Sequence, residues 1–166
     1  MFDQLLYANR TYADTFELSG VPPRAARHFG LVTCMDSRIE PLTMLGLRPG
    51  DAKILRNAGG RVTPDVLRSL VLATTFLEVT HIAVMQHTGC AMAANDEATV
   101  RARFTPEQRA EVEGWDFLTM ADPDAVLAAD VATLRACRLF PPHTQVEGWR
   151  YDVGTGLIKR IIATAD

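Results

Sequence analysis

The chain is poor in several things that would decide its class at once. Three cysteines, Cys34, Cys90 and Cys137, are too few and too odd in number for a disulfide framework. That leaves core thiol, metal ligand or nucleophile as their roles. No charge of one sign dominates. Seventeen Lys and Arg stand against 20 Asp and Glu, a net charge of −3, which excludes a global attraction to nucleic acid or to an anionic membrane. Long apolar runs are missing too. The most apolar helical stretch, residues 67–79, is interrupted by Arg68, Ser69, Thr74, Thr75 and Glu78 and falls far short of the ~18 residues of a membrane span. Met1-Phe2-Asp3-Gln4 carries no basic segment and Leu5-Leu6 is too short for an apolar signal core, so a cytoplasmic protein is expected. There is no internal repeat and no Gly-x-Gly-x-x-Gly dinucleotide fingerprint.

What is present is ordinary globular material. Hydrophobic residues make up 48% of 166 positions, enough to bury a core without staples, and the length suits one domain over residues 1–166. Phe2, Leu5, Leu6, Asn9 and Tyr12 recur at three-to-four-residue spacing and predict an amphipathic helix over residues 2–18. Gly20-Val21-Pro22-Pro23 ends it, making residues 1–20 a helical arm. Residues 28–34, 52–56 and 81–86 read as buried strands, and 41–47 as a short helix. Thr63, Pro64 and Asp65 form a helix start, and the helix runs to about residue 79. Its apolar residues cover more than one face, so burial on two sides is expected, a sheet on one and a partner subunit on the other. Residues 95–121 give no readable pattern. A helix is expected over 123–139, with Cys137 inside it as a core thiol. A hairpin-like pair follows, 146–153 and 157–162 around Gly154-Thr155-Gly156. Strands alternating with helices predict an α/β fold with a mainly parallel central sheet flanked by helices, a hairpin strand lying at one edge.

Ligand sites in such sheets form beyond the carboxyl ends of strands. The first strand ends in Cys34-Met35-Asp36-Ser37-Arg38 and the third in His87-Thr88-Gly89-Cys90. Two thiols and one imidazole therefore meet at one sheet edge. Soft and borderline donors of this kind suit zinc, and three protein ligands leave a position for water. Cys90 also opens a helix, whose dipole favours thiolate. Asp36 and Arg38 are spaced to pair, the guanidinium holding the carboxylate beside the metal. Each element alone has a plain reading: a cysteine on a buried strand is usually core, and Asp-x-Arg is usually a surface pair. Cys34 and Arg38 stand too close, without glycines between, for a phosphate-binding nucleophile loop. Asn57-Ala58-Gly59-Gly60 is either a plain turn or a close backbone approach to the pocket. His28, His81 and His143 are expected to be structural or exposed.

Cys34-x-Asp36-x-Arg38, then Arg56-Asn57-Ala58-Gly59-Gly60, then His87-x-x-Cys90, closely resemble the β-class carbonic anhydrases, with order and spacing matched over roughly residues 28–92. The resemblance implies reversible hydration of carbon dioxide to bicarbonate by zinc-activated water, with one zinc ion per chain. It implies Cys34, His87 and Cys90 as ligands, Asp36 and Arg38 as the catalytic dyad, and Asp36 as a possible pH-dependent fourth ligand. Asn57, Gly59 and Gly60 would form pocket backbone. It also implies a homodimer or higher homo-oligomer, the arm reaching across the partner. Many members have Gly after the second cysteine, where this chain has Ala91. Carbonyl sulfide and carbon disulfide hydrolases share the ligands and are the alternative. A non-catalytic zinc-stabilised module is the second, and it would need neither an open position nor the dyad.

Two thiolates cancel the formal charge of Zn²⁺ and weaken it as a Lewis acid relative to a three-histidine site. Turnover is therefore expected to rise with pH between about 6 and 9, since the three-histidine carbonic anhydrase site already brings bound water to a pKa of about 7. A stopped-flow pH–rate profile that is flat and maximal at pH 6 would contradict this.

Overall fold

A computed structural model of the chain describes residues 1–164. The elements are α1 (Phe2–Asp14), β1 (Phe29–Cys34), α2 (Pro41–Met44), β2 (Ala52–Asn57), a 3₁₀ turn (Ala58–Gly60), α3 (Pro64–Phe76), β3 (His81–His87), α4 (Ala91–Ala94), α5 (Glu97–Arg101), α6 (Pro106–Glu111), α7 (Pro123–Arg135), β4 (Gln145–Tyr151) and β5 (Ile158–Ile162). They build one sheet in the order β2-β1-β3-β4-β5. The first four strands are parallel and β5 returns antiparallel to β4 at the edge.

β1 and β3 are buried along almost their whole length because both of their faces are covered. On one face, Val66, Leu70 and Ala73 of α3 and Leu127, Val131 and Leu134 of α7 pack on Val32, Ile82, Val84 and Val146. Gly148 of β4 permits this approach, since a Cβ there would lie 3.2 Å from Leu127 Cγ. On the other face, Leu31, Ala83 and Met85 lie under Ile39 and Met120, flanked by the stacked rings of Phe29 and Trp149, whose centroids are 5.8 Å apart. Thr63 caps α3 as its sequence predicts, its hydroxyl accepting from the Val66 amide at 3.3 Å.

Several boundaries differ from the sequence reading. α1 stops at Asp14, and none of its residues is buried. α2 is a single turn, closed at Gly46 with φ +65°. α3 ends at Phe76, where the Leu77 and Val79 amides both return to the Ala73 carbonyl. It is buried on one side only within the chain. Leu72 and Phe76 face outward, on the side where a partner subunit was expected. α7 ends at Arg135, whose guanidinium turns onto the Val146 carbonyl at 2.7 Å, so the last turn bends to the sheet instead of continuing. Cys137 therefore lies beyond the helix and is half-buried, not an interior core thiol.

Residues 95–121 form an excursion of two short helices. α5 is capped by Asp96 and α6 by a capping box of Thr105 and Gln108. Arg101 stitches the excursion internally, bonding the carbonyls of Val112 and Trp115 and lying over the Phe117 ring. It returns to the body where the Met120 amide meets the Met92 carbonyl at 2.7 Å.

Candidate metal centre

Strand pairing brings the three donors together. Cys34 ends β1, His87 ends β3, and Cys90 is the N-cap of α4. One ligand atom from each lies within 4.8 Å of the others, and all three residues are buried. Among the described residues this is the one such cluster of three. His87 Nδ1 is 2.9 Å from the Thr88 carbonyl oxygen. A carbonyl only accepts, so Nδ1 carries the proton and Nε2 presents a lone pair. That Nε2 is buried and has no hydrogen-bond partner. A buried acceptor left bare is unfavourable, and a cation between it and two sulfurs removes the deficit. The donor set fits zinc and could hold one ion per chain.

The expected helix-dipole activation of Cys90 does not dominate. α4 has only four residues. Burial pushes the Cys90 thiol up and neighbouring Cys34 pushes it further, against the amides of Met92 and Ala93. A bound cation reverses that balance by favouring thiolate.

Asp36 is clamped by Arg38 through three bonds. Nε and the backbone amide donate to Oδ1, each at 2.9 Å, and Nη2 donates to Oδ2 at 2.7 Å. These bonds hold the Asp36 carboxyl well below the usual carboxylate range, and the pairing raises Arg38 in turn. Asp36 Oδ2 stands 3.8 Å from His87 Nε2, so the carboxylate borders the place where the three donors converge. Arg38 Nη2 also donates to the Gly89 carbonyl at 3.0 Å, tying the first ligand loop to the second. Arg56 was part of the sequence motif without an assigned task. Its Nε donates to the Cys34 carbonyl at 3.0 Å and its Nη2 to the Asp36 carbonyl at 2.7 Å, fixing the backbone on which ligand and carboxylate sit.

A cleft of about 440 Å³ opens here, lined by Cys34, Asp36, Arg38, Gly59, Cys90 and Met92, with exposed Met35 at its rim. Of the three predicted backbone positions only Gly59 lines it. Asn57 instead ties the turn together, its Nδ2 donating to the Arg61 carbonyl and its Oδ1 accepting from the Arg61 amide, both at 2.8 Å. Gly60 is a close approach: its φ is +66°, and a Cβ would lie 2.9 Å from the Cys34 amide nitrogen and from the Thr33 carbonyl carbon. His28, His81 and His143 are partly or fully exposed and lie outside the cluster.

The sequence profile of the carbonic anhydrase family matches residues 29–116. Beta-carbonic anhydrase 1 of Mycobacterium tuberculosis is 33% identical to this chain over 173 aligned positions, covering 96% of each. A carbon disulfide hydrolase of Acidianus sp. is 30% identical, with 86% of this chain and 80% of that one covered. The crystal structure of a carbonic anhydrase from Streptococcus mutans superposes with a TM-score of 0.89 at 36% identity, over 96% of both chains.

Gly60→Ala is expected to lose more stability than Gly20→Ala. Both glycines have positive φ, but a Cβ at Gly20 meets nothing within 4 Å, whereas at Gly60 it strikes backbone. Gly20→Ala thus carries only the left-handed strain of about 1–2 kcal/mol, and Gly60→Ala carries the clash in addition. Urea midpoints measure the difference, and equal losses at the two positions would overturn the close-approach reading.

Proposed function

The chain belongs to the β-carbonic anhydrase family, and from that premise we propose that it interconverts carbon dioxide and bicarbonate at the Cys34–His87–Cys90 centre. The carrying observation is the bare, buried Nε2 of His87 facing two thiols beside a clamped Asp36. A zinc ion on three protein ligands supplies Lewis-acid activation of water, bringing its pKa down from about 15.7 toward neutrality.

The protein's own groups supply the rest. Cys34 and Cys90 give two anionic donors and His87 a neutral one aimed by Thr88. Asp36, ionised across the working range, accepts a hydrogen bond from the attacking oxygen and turns its lone pair toward the substrate carbon. A carboxyl so acidic is a poor store for a proton, so the proton released with bicarbonate passes on to solvent or buffer. Arg38 holds Asp36 in that attitude. The Arg38 bonds to both oxygens oppose movement of Asp36 onto the metal as a fourth ligand. The apolar side of the cleft, Met35, Ala58, Ala91 and Met92, accepts a small linear molecule without charge.

The same features support carbon disulfide or carbonyl sulfide as substrate, and one relative at 30% identity is a carbon disulfide hydrolase. We read the chain as one functional unit, with residues 28–92 as its metal-site core and residues 1–20 as an arm. Exposed Phe2, Leu5, Leu6 and Tyr7 on α1, and Leu72 and Phe76 on α3, support a homodimer or higher homo-oligomer in which the arm lies on a second copy. Three free thiols support a cytoplasmic setting that keeps the donors reduced; recovery with secreted proteins would count against it.

Stopped-flow carbon dioxide hydration with zinc quantified on the same sample is the direct test, run beside a carbonyl sulfide assay. Asp36→Ala should retain zinc and lose most turnover, on the order of 10²-fold, the lower range for a positioned proton acceptor. Cys34→Ser, His87→Ala and Cys90→Ser should lower zinc content itself. Full zinc with no hydration at any pH would transfer the assignment to the sulfur substrates, and undiminished turnover in Asp36→Ala would refute its role. For the arm, Leu5→Glu with Leu6→Glu should shift sedimentation toward the monomer, and an unchanged sedimentation coefficient would remove α1 from the interface.

A further inference from the structure

One buried ion pair lies behind the metal centre. Arg61 follows the glycine pair, and Asp130 sits on α7, 69 positions away. Arg61 Nε donates to Asp130 Oδ2 at 2.8 Å and Nη2 to Oδ1 at 3.4 Å, with side-chain exposures of 14% and 7%. The same carboxylate accepts the Val62 amide at 3.3 Å. The third arm of the guanidinium, Nη1, donates to the Leu118 carbonyl at 3.1 Å, at a residue with φ +56°. The backbone of Arg61 is locked to the Asn57 side chain. One residue thus holds the glycine turn, α7 and the returning end of the excursion.

Both held segments reach the thiols by short paths. On one side, Gly60 abuts the Cys34 amide, and the Asn57 carbonyl accepts from the Met35 amide at 2.9 Å. On the other, Met120 donates to the Met92 carbonyl two residues beyond Cys90. Met120 and Met92 also close on Gly59, where a Cβ would lie 3.3 Å from Met120 Cε and 3.5 Å from Met92 Cβ. A buried ion pair is a weak stabiliser in itself, since an apolar pair of similar volume does as well. Its fork does what an apolar pair does not: it fixes two backbone segments at set distances from one carboxylate.

We propose that Arg61 and Asp130 are a positioning pair for the metal centre, setting the spacing between the Cys34 loop and the Cys90 loop and so the retention of the metal. The inference rests on reading Cys34, His87 and Cys90 as zinc ligands. Zinc-loaded wild type, Asp130→Asn, Arg61→Lys and the control Leu134→Ala are compared for zinc release to excess chelator, for Tm, and for the visible bands of the cobalt-substituted protein. Leu134 lies in the core between α7 and the sheet and is not part of the ion pair. Asp130→Asn and Arg61→Lys should release zinc about tenfold faster or more and shift the cobalt bands, as outer partners of metal ligands do when altered. Leu134→Ala should lower Tm and release zinc at the wild-type rate. Wild-type release and bands in Asp130→Asn or Arg61→Lys would overturn the proposal, as would release that simply follows Tm across all three variants. If Asp130→Asn does not fold, Arg61→Lys, which keeps the charge and loses the fork, decides. A wild type that binds no zinc would instead overturn the ligand reading.

Discussion

Parallel pairing of β1 with β3 in one register is the constraint on which the metal centre rests. Phe29 pairs with His81 and Thr33 with Met85, which brings Cys34 and His87 to the same end of adjacent strands. A slip of one residue would turn either side chain to the opposite face of the sheet. The register is protected by burial on both faces, where apolar residues of α3 and α7 on one side and Ile39 and Met120 on the other seat only one alternation of side chains. The geometry of the donor cluster is thus a by-product of core packing. The sheet sets it first, and the loops refine it.

Electrostatics supplies the refinement. Two thiols and a carboxylate crowd the neighbouring ends of β1 and β3, and guanidinium groups answer them. Arg38 takes the Asp36 side chain and the Gly89 carbonyl, and Arg56 takes the carbonyls of Cys34 and Asp36. Neither arginine donates to the sulfurs. They immobilise the frame, while the lone pairs that matter stay directed inward. Arginine suits this better than lysine because its planar fork fixes direction as well as charge.

The Cys34–His87–Cys90 cluster and the Asp36–Arg38 pair were legible in the sequence because each lies within a few residues of a strand end, where the chemistry is read off consecutive positions. The sheet was legible because buried strands read as continuous apolar runs. Helix ends were less so. α7 stops where Arg135 reaches a carbonyl of β4, an interaction eleven residues away that periodicity does not encode, and this displaced Cys137 from the interior. α5 and α6 lack an apolar period, yet Asp96 with Thr99 and Thr105 with Gln108 are cap signals that spacing alone could have revealed. The link from Arg61 to Asp130 was beyond reach, because nothing local distinguishes a buried aspartate on a helix from a solvated one.

The excursion between Met92 and Met120 leaves and rejoins the body at neighbouring points, tied by the Met120–Met92 bond and by Arg61 on the Leu118 carbonyl. A loop whose ends already touch changes length at little entropic expense, because closure entropy rises only with the logarithm of its size. Its two helices are capped from within and its aromatic residues contact one another, Phe104 with Phe117 and Trp115 with Phe117. Descent with modification therefore has a place to work. Residues can be gained, lost or rewritten between Asn95 and Phe117, short of the Leu118 carbonyl that Arg61 holds, while the sheet and the donors behind them stay as they are. In that respect the chain separates the part that inheritance must keep from the part it is free to vary.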